Sequence, residues 1–347
     1  MAHPIYNAFG AGDYLNNLKG EYYGIAAGLR RKWFVKYLRR AFLLAITGQT
    51  YLQKAIIPAG ARKILWFYDW NTLGDSIMDL SQRHALASRY QLDICMPKGP
   101  AELFQNDPAF AHVYTDINDC PKDYDFILLH DISSTSIRVK LTRYFAKPWA
   151  SMINHQQGEQ QGRVALSAFR LSQLLQTPLV AQRPTLSIQD LSHVEVMPNT
   201  VAVALGGIEH RRRILDWASL LQDIQRLALQ EGRSLRFALM GSGPEAAEDL
   251  ANMPPEFVAQ HCQVQMNLPN LTALKTALMQ HQYFIGCDSG LMHLAEALDK
   301  PGVALFGVIK PEWRLLESSR LKPLFDLVSV NHIPKDQIVA AFMQAIK

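Results

Sequence analysis

The sequence predicts an α/β protein made of two doubly wound parallel sheets. Three observations point to it. Short, continuously apolar runs alternate with helical stretches from Lys63 to Ile346, as in parallel sheets covered on both faces. The alternation occurs twice, separated by a stretch near 177–199 rich in Pro, Gln and Ser, which reads as a linker. The length, 347 residues, suits two domains of ordinary size. Both halves are therefore expected to be Rossmann-like, with a cleft between them.

The elements follow in order. Residues 1–60 form an N-terminal extension, with one helix expected from Glu21 to Ile57. In it Phe34, Leu38 and Phe42 fall along one face, interleaved with Arg30, Arg31, Lys32, Lys36, Arg39 and Arg40. Such a helix either lies on an anionic membrane surface or packs on the domain with a solvated basic face. In the first domain, 61–180, strands are expected at Lys63–Tyr68, Leu92–Met96, His112–Thr115 and Asp125–His130. Helices are expected at Ser76–Tyr90, Ala101–Gln105, Thr135–Phe145 and Gly162–Gln176. After the linker, 181–198, the second domain covers 199–347. Its strands are expected at Thr200–Leu205, Leu235–Met240, around Val264, at Tyr283–Gly286 and at Val303–Phe306. Its helices are expected at Leu215–Gln230, from Pro244, at Leu271–Gln280, at Leu291–Leu298 and at Lys335–Ile346, the last able to cross back to the first domain.

Hydrophobic residues make up 48% and charged residues 19% of the chain, which suits a packed core and argues against disorder. A net charge of +4 is too small to indicate a nucleic-acid partner. Cys95, Cys120, Cys262 and Cys287 form no CxxC pair and read as reduced, buried thiols. No secretory pattern opens the chain, and the apolar run Ala41–Ile46 is far short of the ~20 residues that a spanning helix needs. A cytoplasmic protein is expected, peripheral on a membrane if the basic helix binds lipid.

Ligands of open α/β sheets bind beyond the carboxyl ends of the strands, near helix N-termini. Four turns lie at such places. Gly74-Asp75-Ser76 follows the first strand, with Asp75 either capping a helix or acting as a general base. Gly206-Gly207, then Arg211, Arg212 and Arg213, follow the first strand of the second domain, where glycine admits a ligand to the backbone and arginine suits phosphate. Gly241 to Glu245 follows the next strand, with Glu245 as a dipole partner or a ribose ligand. Asp288-Ser289-Gly290, with His293 one turn on, opens another helix whose free N–H groups suit a diphosphate. The Gly10-Ala11-Gly12 turn follows no strand and is set aside. No GxGxxG turn follows a core strand, which argues against a dinucleotide oxidoreductase.

Taken together these turns resemble glycosyltransferase family 9, the lipopolysaccharide heptosyltransferases. FIGCDSGLMHLAEALDKPGVALFG, within Tyr283–Gly307, is similar to that family's (G/N)DTGxxHLAAALxxPxVALFG stretch, and Gly74-Asp75 to its N-terminal GD turn. The resemblance runs from Lys63 to Lys347. Ser289 stands where the family has Thr, Ser81 where it has Pro, and HRRRIL in place of a KRWP-like stretch. It implies the GT-B fold and a nucleotide-diphosphate sugar as co-substrate, ADP-heptose foremost, with no other cofactor. It implies an anionic lipopolysaccharide-core acceptor. Carried over, Asp75 is the catalytic base of an inverting displacement, with Gly74 and Ser76 on the acceptor side. Asp288, Ser289, Gly290 and His293 are donor-binding, as is one of Arg211–Arg213. No DxD pair follows a strand, so no metal is expected. A catalytically inactive nucleotide-sugar-binding scaffold and a sugar-nucleotide epimerase are the alternative readings.

Overall fold

The computed structural model describes residues 27–152, 162–207 and 209–347. The Gly10-Ala11-Gly12 turn and the expected helix start at Glu21 lie outside the described residues. The chain packs as two units. Among the described residues, those up to Asn71 join Asp79–Gln182 in the first, and Thr72–Met78 joins Arg183–Lys347 in the second.

The first unit opens with α1 (Ala27–Ile46) and the short α2 (Gln49–Leu52). The single helix expected there is split by Gly48 at φ 70°, a left-handed conformation that ends helices and costs glycine little. Leu44 enters the core with Leu65, Phe67, Ile137 and Trp149. Lys140 Nζ donates to Gln49 Oε1 at 2.6 Å, and Trp149 Nε1 to the Gln49 carbonyl at 3.1 Å. The end of the extension is thus built into the first unit.

The elements that follow are β1 (Lys63–Phe67), α3 (Leu73–Asp79), α4 (Arg83–Ala87), β2 (Gln91–Cys95), α5 (Lys98–Phe104), β3 (His112–Tyr114), β4 (Phe126–Leu129), α6 (Ser134–Thr142), β5 (Trp149–Ser151) and α7 (Arg163–Leu175). The strands pair in parallel, in the order β3-β2-β1-β4-β5. The expected helix Ser76–Tyr90 is two helices, α3 and α4. In a continuous helix the Asp79 carbonyl would accept from Arg83 N–H. Here it accepts from Ser167 Oγ at 2.7 Å, and Arg83 N–H turns to the Leu80 carbonyl at 3.1 Å.

The second unit holds β6 (Met197–Ala204), α8 (Trp217–Gln230), β7 (Arg236–Gly241), α9 (Gly243–Ala251), α10 (Pro255–His261), β8 (Cys262–Met266), α11 (Leu271–Gln280), β9 (His281–Cys287), α12 (Gly290–Ala297), β10 (Gly302–Gly307), β11 (Leu321–Asp326) and α13 (Lys335–Ala345). Its sheet is also parallel, ordered β11-β10-β9-β6-β7-β8. Val201, Val203, Phe237, Leu239 and Ile285 from the strands pack on Leu220, Leu221 and Ile224 of α8. Ile338 and Phe342 of α13 join the same core, so the last helix stays with the second unit instead of crossing back.

Candidate active site

Strand order reverses between β6 and β9 in the second unit. Loops at the carboxyl ends of such a strand pair form the ligand crevice of doubly wound sheets. Two of the sequence turns lie there, Leu205–Arg213 after β6 and Asp288-Ser289 after β9.

The three consecutive arginines have three different environments, because the 3₁₀ turn His210–Arg212 sends successive side chains in different directions. Arg211 is exposed and pairs with Glu209 at 2.5 Å. Arg213 is buried against α9: Nε and Nη2 reach Asp249 Oδ1 at 2.9 and 2.6 Å, Nη1 reaches Glu248 at 2.9 Å, and Nη2 the Glu245 carbonyl at 2.8 Å. It is a structural clamp. Arg212 Nη2 donates to Asp288 Oδ2 at 2.7 Å and to the Asp288 carbonyl at 2.8 Å.

Asp288 is 6% exposed and is the centre of a charged cluster. His293 Nε2 lies 3.5 Å from its Oδ1, and Arg314 Nε 3.8 Å from its Oδ2. Burial works against the carboxylate, but His293, Arg212 and Arg314 outweigh it and hold the group below the usual carboxylate range. His293 is also 3.8 Å from Glu296 Oε2. Burial disfavours its cation, yet the nearby Asp288 and Glu296 carboxylates raise its pKa above the ordinary value. Arg212 Nε and Arg314 Nη1 are buried donors without a hydrogen-bond partner. Unsatisfied buried donors are rare, and these two suit an anion beside Asp288.

Sequence reasoning missed Arg314 and Glu296. Arg314 lies beyond β10, in a loop entered through a tight turn. Val308 takes φ 70° and Ile309 N–H bonds the Gly307 carbonyl at 2.7 Å, a strained conformation for a β-branched residue. The loop's position after a strand's carboxyl end was the available signal.

The glycines serve packing. A Cβ on Gly241 would meet Ala246 Cβ at 2.8 Å, and one on Gly206 would meet it at 3.0 Å. Gly206 has φ 84°, and its N–H is taken by Asp249 Oδ2 at 2.7 Å. Gly207, at φ 137°, is half-buried. Glu245 lies half-buried in the first turn of α9. Ser289 caps α12, its hydroxyl accepting from Met292 N–H at 3.4 Å.

The Gly74-Asp75 turn starts α3, which packs on α12. A Cβ on Gly74 would stand 2.6 Å from His293 Cδ2, and one on Gly290 3.0 Å from Leu73 Cδ2. Asp75 is half-buried in the first turn, its Oδ2 accepting from Thr72 Oγ1 at 2.7 Å. Ser76 is fully buried and donates to the Leu73 carbonyl at 2.8 Å, so its hydroxyl is engaged within the first turn of the helix.

The first unit has its own strand reversal between β1 and β4. Behind it Asp79 binds Arg163 through both oxygens at 2.9 and 2.6 Å, His130 at 2.9 Å and Tyr68 at 3.1 Å. Burial opposes this carboxylate, but Arg163 and His130 hold it far below the usual range. At the edge, Ser133 donates to Asp69 at 2.5 Å and Trp70 Nε1 to Asp131 at 2.8 Å. Burial, then the Asp131 charge, push the Asp69 carboxyl above its ordinary range.

Comparison with known proteins bears on the fold and on the second half of the chain. Residues 217–321 match the family model Glycosyltransferase family 9 (heptosyltransferase). No curated protein matches the chain. Among solved structures, a glycosyl transferase family 9 protein from Veillonella parvula is similar at 12% identity and TM-score 0.64, over 84% of this chain and 99% of that one. The ADP-heptose lipopolysaccharide heptosyltransferase II of E. coli is similar at 19% identity and TM-score 0.60, over 82% and 98%. The E. coli heptosyltransferase WaaC with ADP is similar at 13% identity and TM-score 0.59, over 82% and 100%. At these identities the likeness is one of fold, the GT-B fold. The segment that matches glycosyltransferase family 9 includes Asp288, His293, Glu296 and Arg314, and the chain has the fold of solved heptosyltransferases.

Proposed function

We propose that the chain transfers a heptose or related sugar from ADP-heptose to a hydroxyl of an anionic lipopolysaccharide-core or similar glycan, with inversion. The observation that carries this reading is the cluster of Arg212, Arg314 and His293 around Asp288, all but Arg212 in the matched segment, against the helix that bears Asp75. Similar folds are recorded with ADP and with ADP-2-deoxy-2-fluoro heptose, which supports an ADP-linked donor.

In this reading Asp75 takes the proton of the acceptor hydroxyl as its oxygen attacks the anomeric carbon. The bond from that carbon to the diphosphate breaks, and the diphosphate leaves with the electron pair. Arg212, Arg314 and the N-terminus of α12 receive the developing negative charge. A positioned base contributes about 10²- to 10⁴-fold, and one preorganised donor roughly 3–4 kcal/mol. Glu245 takes the ribose hydroxyls. The expected place of action is the cytoplasmic face of the inner membrane.

The test is a thermal-shift and turnover screen with ADP-heptose and with UDP-, GDP- and CMP-sugars, with and without a lipopolysaccharide-core acceptor. Stabilisation by ADP-heptose with acceptor-dependent ADP release is the expected result. Stabilisation without release points to an acceptor absent from the screen or to a binding scaffold, conversion of the donor alone to an epimerase, and no response to any nucleotide sugar overturns the reading.

A further inference from the structure

We propose that the outward face of α1 docks the protein on an anionic phospholipid surface. Val35, Leu38, Phe42 and Ile46 recur at three- and four-residue spacing and are 47%, 48%, 66% and 63% exposed. Leu44, on the opposite side of the helix, is 1% exposed and in the core. Single exposed apolar residues are ordinary, but four on consecutive turns of one helix form a patch that marks an interaction face. Tyr51 of α2, also exposed, adds an amphipathic aromatic of the kind enriched where one end is apolar and the other wet.

Charge selects the occupant. Ala27–Ile46 contains Arg30, Arg31, Lys32, Lys36, Arg39 and Arg40 and no acidic residue, six cations against a net +4 for the whole chain. Arg39 is exposed beside the stripe. A second copy of the chain would bring two such basic helices face to face, which their repulsion opposes. An anionic bilayer meets both features, burying the apolar stripe among acyl chains and pairing the exposed Arg39 with headgroups. No helix among the described residues is long and apolar enough to cross a membrane, so the helix lies in the interface.

The docking has a direction. On the inner side of α1, Leu44 shares a core with Phe67, the last residue of β1, and with Ile132, just beyond the carboxyl end of β4. The helix that meets lipid therefore runs beside the ligand edge of the first sheet, where an acceptor held in the bilayer would arrive. This inference is independent of the donor chemistry, and its test uses no nucleotide sugar.

The full chain is sedimented with phosphatidylcholine vesicles and with vesicles that also contain phosphatidylglycerol. It should bind only the anionic vesicles, and less so as salt rises, each engaged cation changing affinity roughly fivefold. The double substitution L38E/F42E should weaken binding at least about tenfold, with an unchanged unfolding temperature because both side chains are exposed. Arg39→Glu, which keeps the apolar stripe, should weaken it by a smaller factor. Wild-type protein that ignores anionic vesicles, or variants that bind as it does, overturns the proposal. So does sedimentation velocity showing a dimer that L38E/F42E dissociates, since a second copy would then cover the stripe.

Discussion

One guanidinium nitrogen of Arg212 holds Asp288 at two points, the carboxylate at 2.7 Å and the carbonyl at 2.8 Å. The contact ties the loop after β6 to the end of β9 and separates Arg212 from its two neighbours. Arg211→Ala should leave stability within about 0.5 kcal/mol, as exposed changes do. Arg213→Ala leaves the buried Asp249 carboxylate without its cation and should cost about 3–5 kcal/mol in urea unfolding. Arg212→Ala should lower kcat/KM by about 10²- to 10³-fold at a smaller cost in stability than Arg213→Ala. Equal effects of the three substitutions would contradict this division of roles.

Gly74 is required by contact. A methyl group there would stand 2.6 Å from His293 Cδ2, and that ring is buried between two carboxylates. Gly74→Ala should destabilise by about 1–3 kcal/mol through overpacking and lower turnover by displacing α3 from α12. Gly60→Ala, with nothing within 4 Å of the new carbon, is the control and should match wild type in unfolding temperature.

His293 faces Asp288 and Glu296 directly, Arg212 and Arg314 through Asp288, and Gly74, next to Asp75, on α3. Its pKa is raised in the folded state. Its contribution to stability is therefore complete below the unfolded value near ~6.5 and is lost as pH rises through the folded value. Glu296→Gln keeps the shape and removes one of the two charges. NMR titration should then show His293 losing its proton at lower pH than in wild type. An unchanged titration would show that Glu296 does not hold the imidazolium.

Asp79 behaves with the opposite sign. Its folded pKa lies far below the ordinary one, so its contribution is present above about pH 4 and lost as pH falls through the folded value. Asp79→Asn leaves Arg163 and His130 without their carboxylate and should cost about 3–5 kcal/mol at pH 7. Urea unfolding at acidic pH should show that deficit shrinking. A deficit that is the same at both pH values would place its cause in packing.

The fold was legible where burial repeats along the sequence. Apolar runs such as KILWF and FILL marked β1 and β4, and helix α11 falls at Leu271–Gln280 as read, capped by Asn270. Of the four edge strands, β3 and β8 were legible, and β5 and β11 were not. β11 contains Pro323, which argues against a strand unless, as here, the strand is at a sheet edge. β5 is only three residues long and also at an edge. The break between α3 and α4 depends on Ser167, far along the chain. At the site, Asp288 and His293 could be read from local order. Which arginine meets Asp288 depends on a 3₁₀ turn, and Glu296 looks like any helical acid until burial is known.

The central claim is transfer from ADP-heptose with Asp75 as the base. Acceptor-dependent ADP release measures it most directly, in wild type and in Asp75→Asn, with donor affinity taken separately by titration. The account predicts turnover in wild type, a loss of about 10²- to 10⁴-fold in the variant, and the same donor affinity in both. Near-normal turnover in Asp75→Asn, or no ADP release by the wild type with donor and acceptor present, would contradict it.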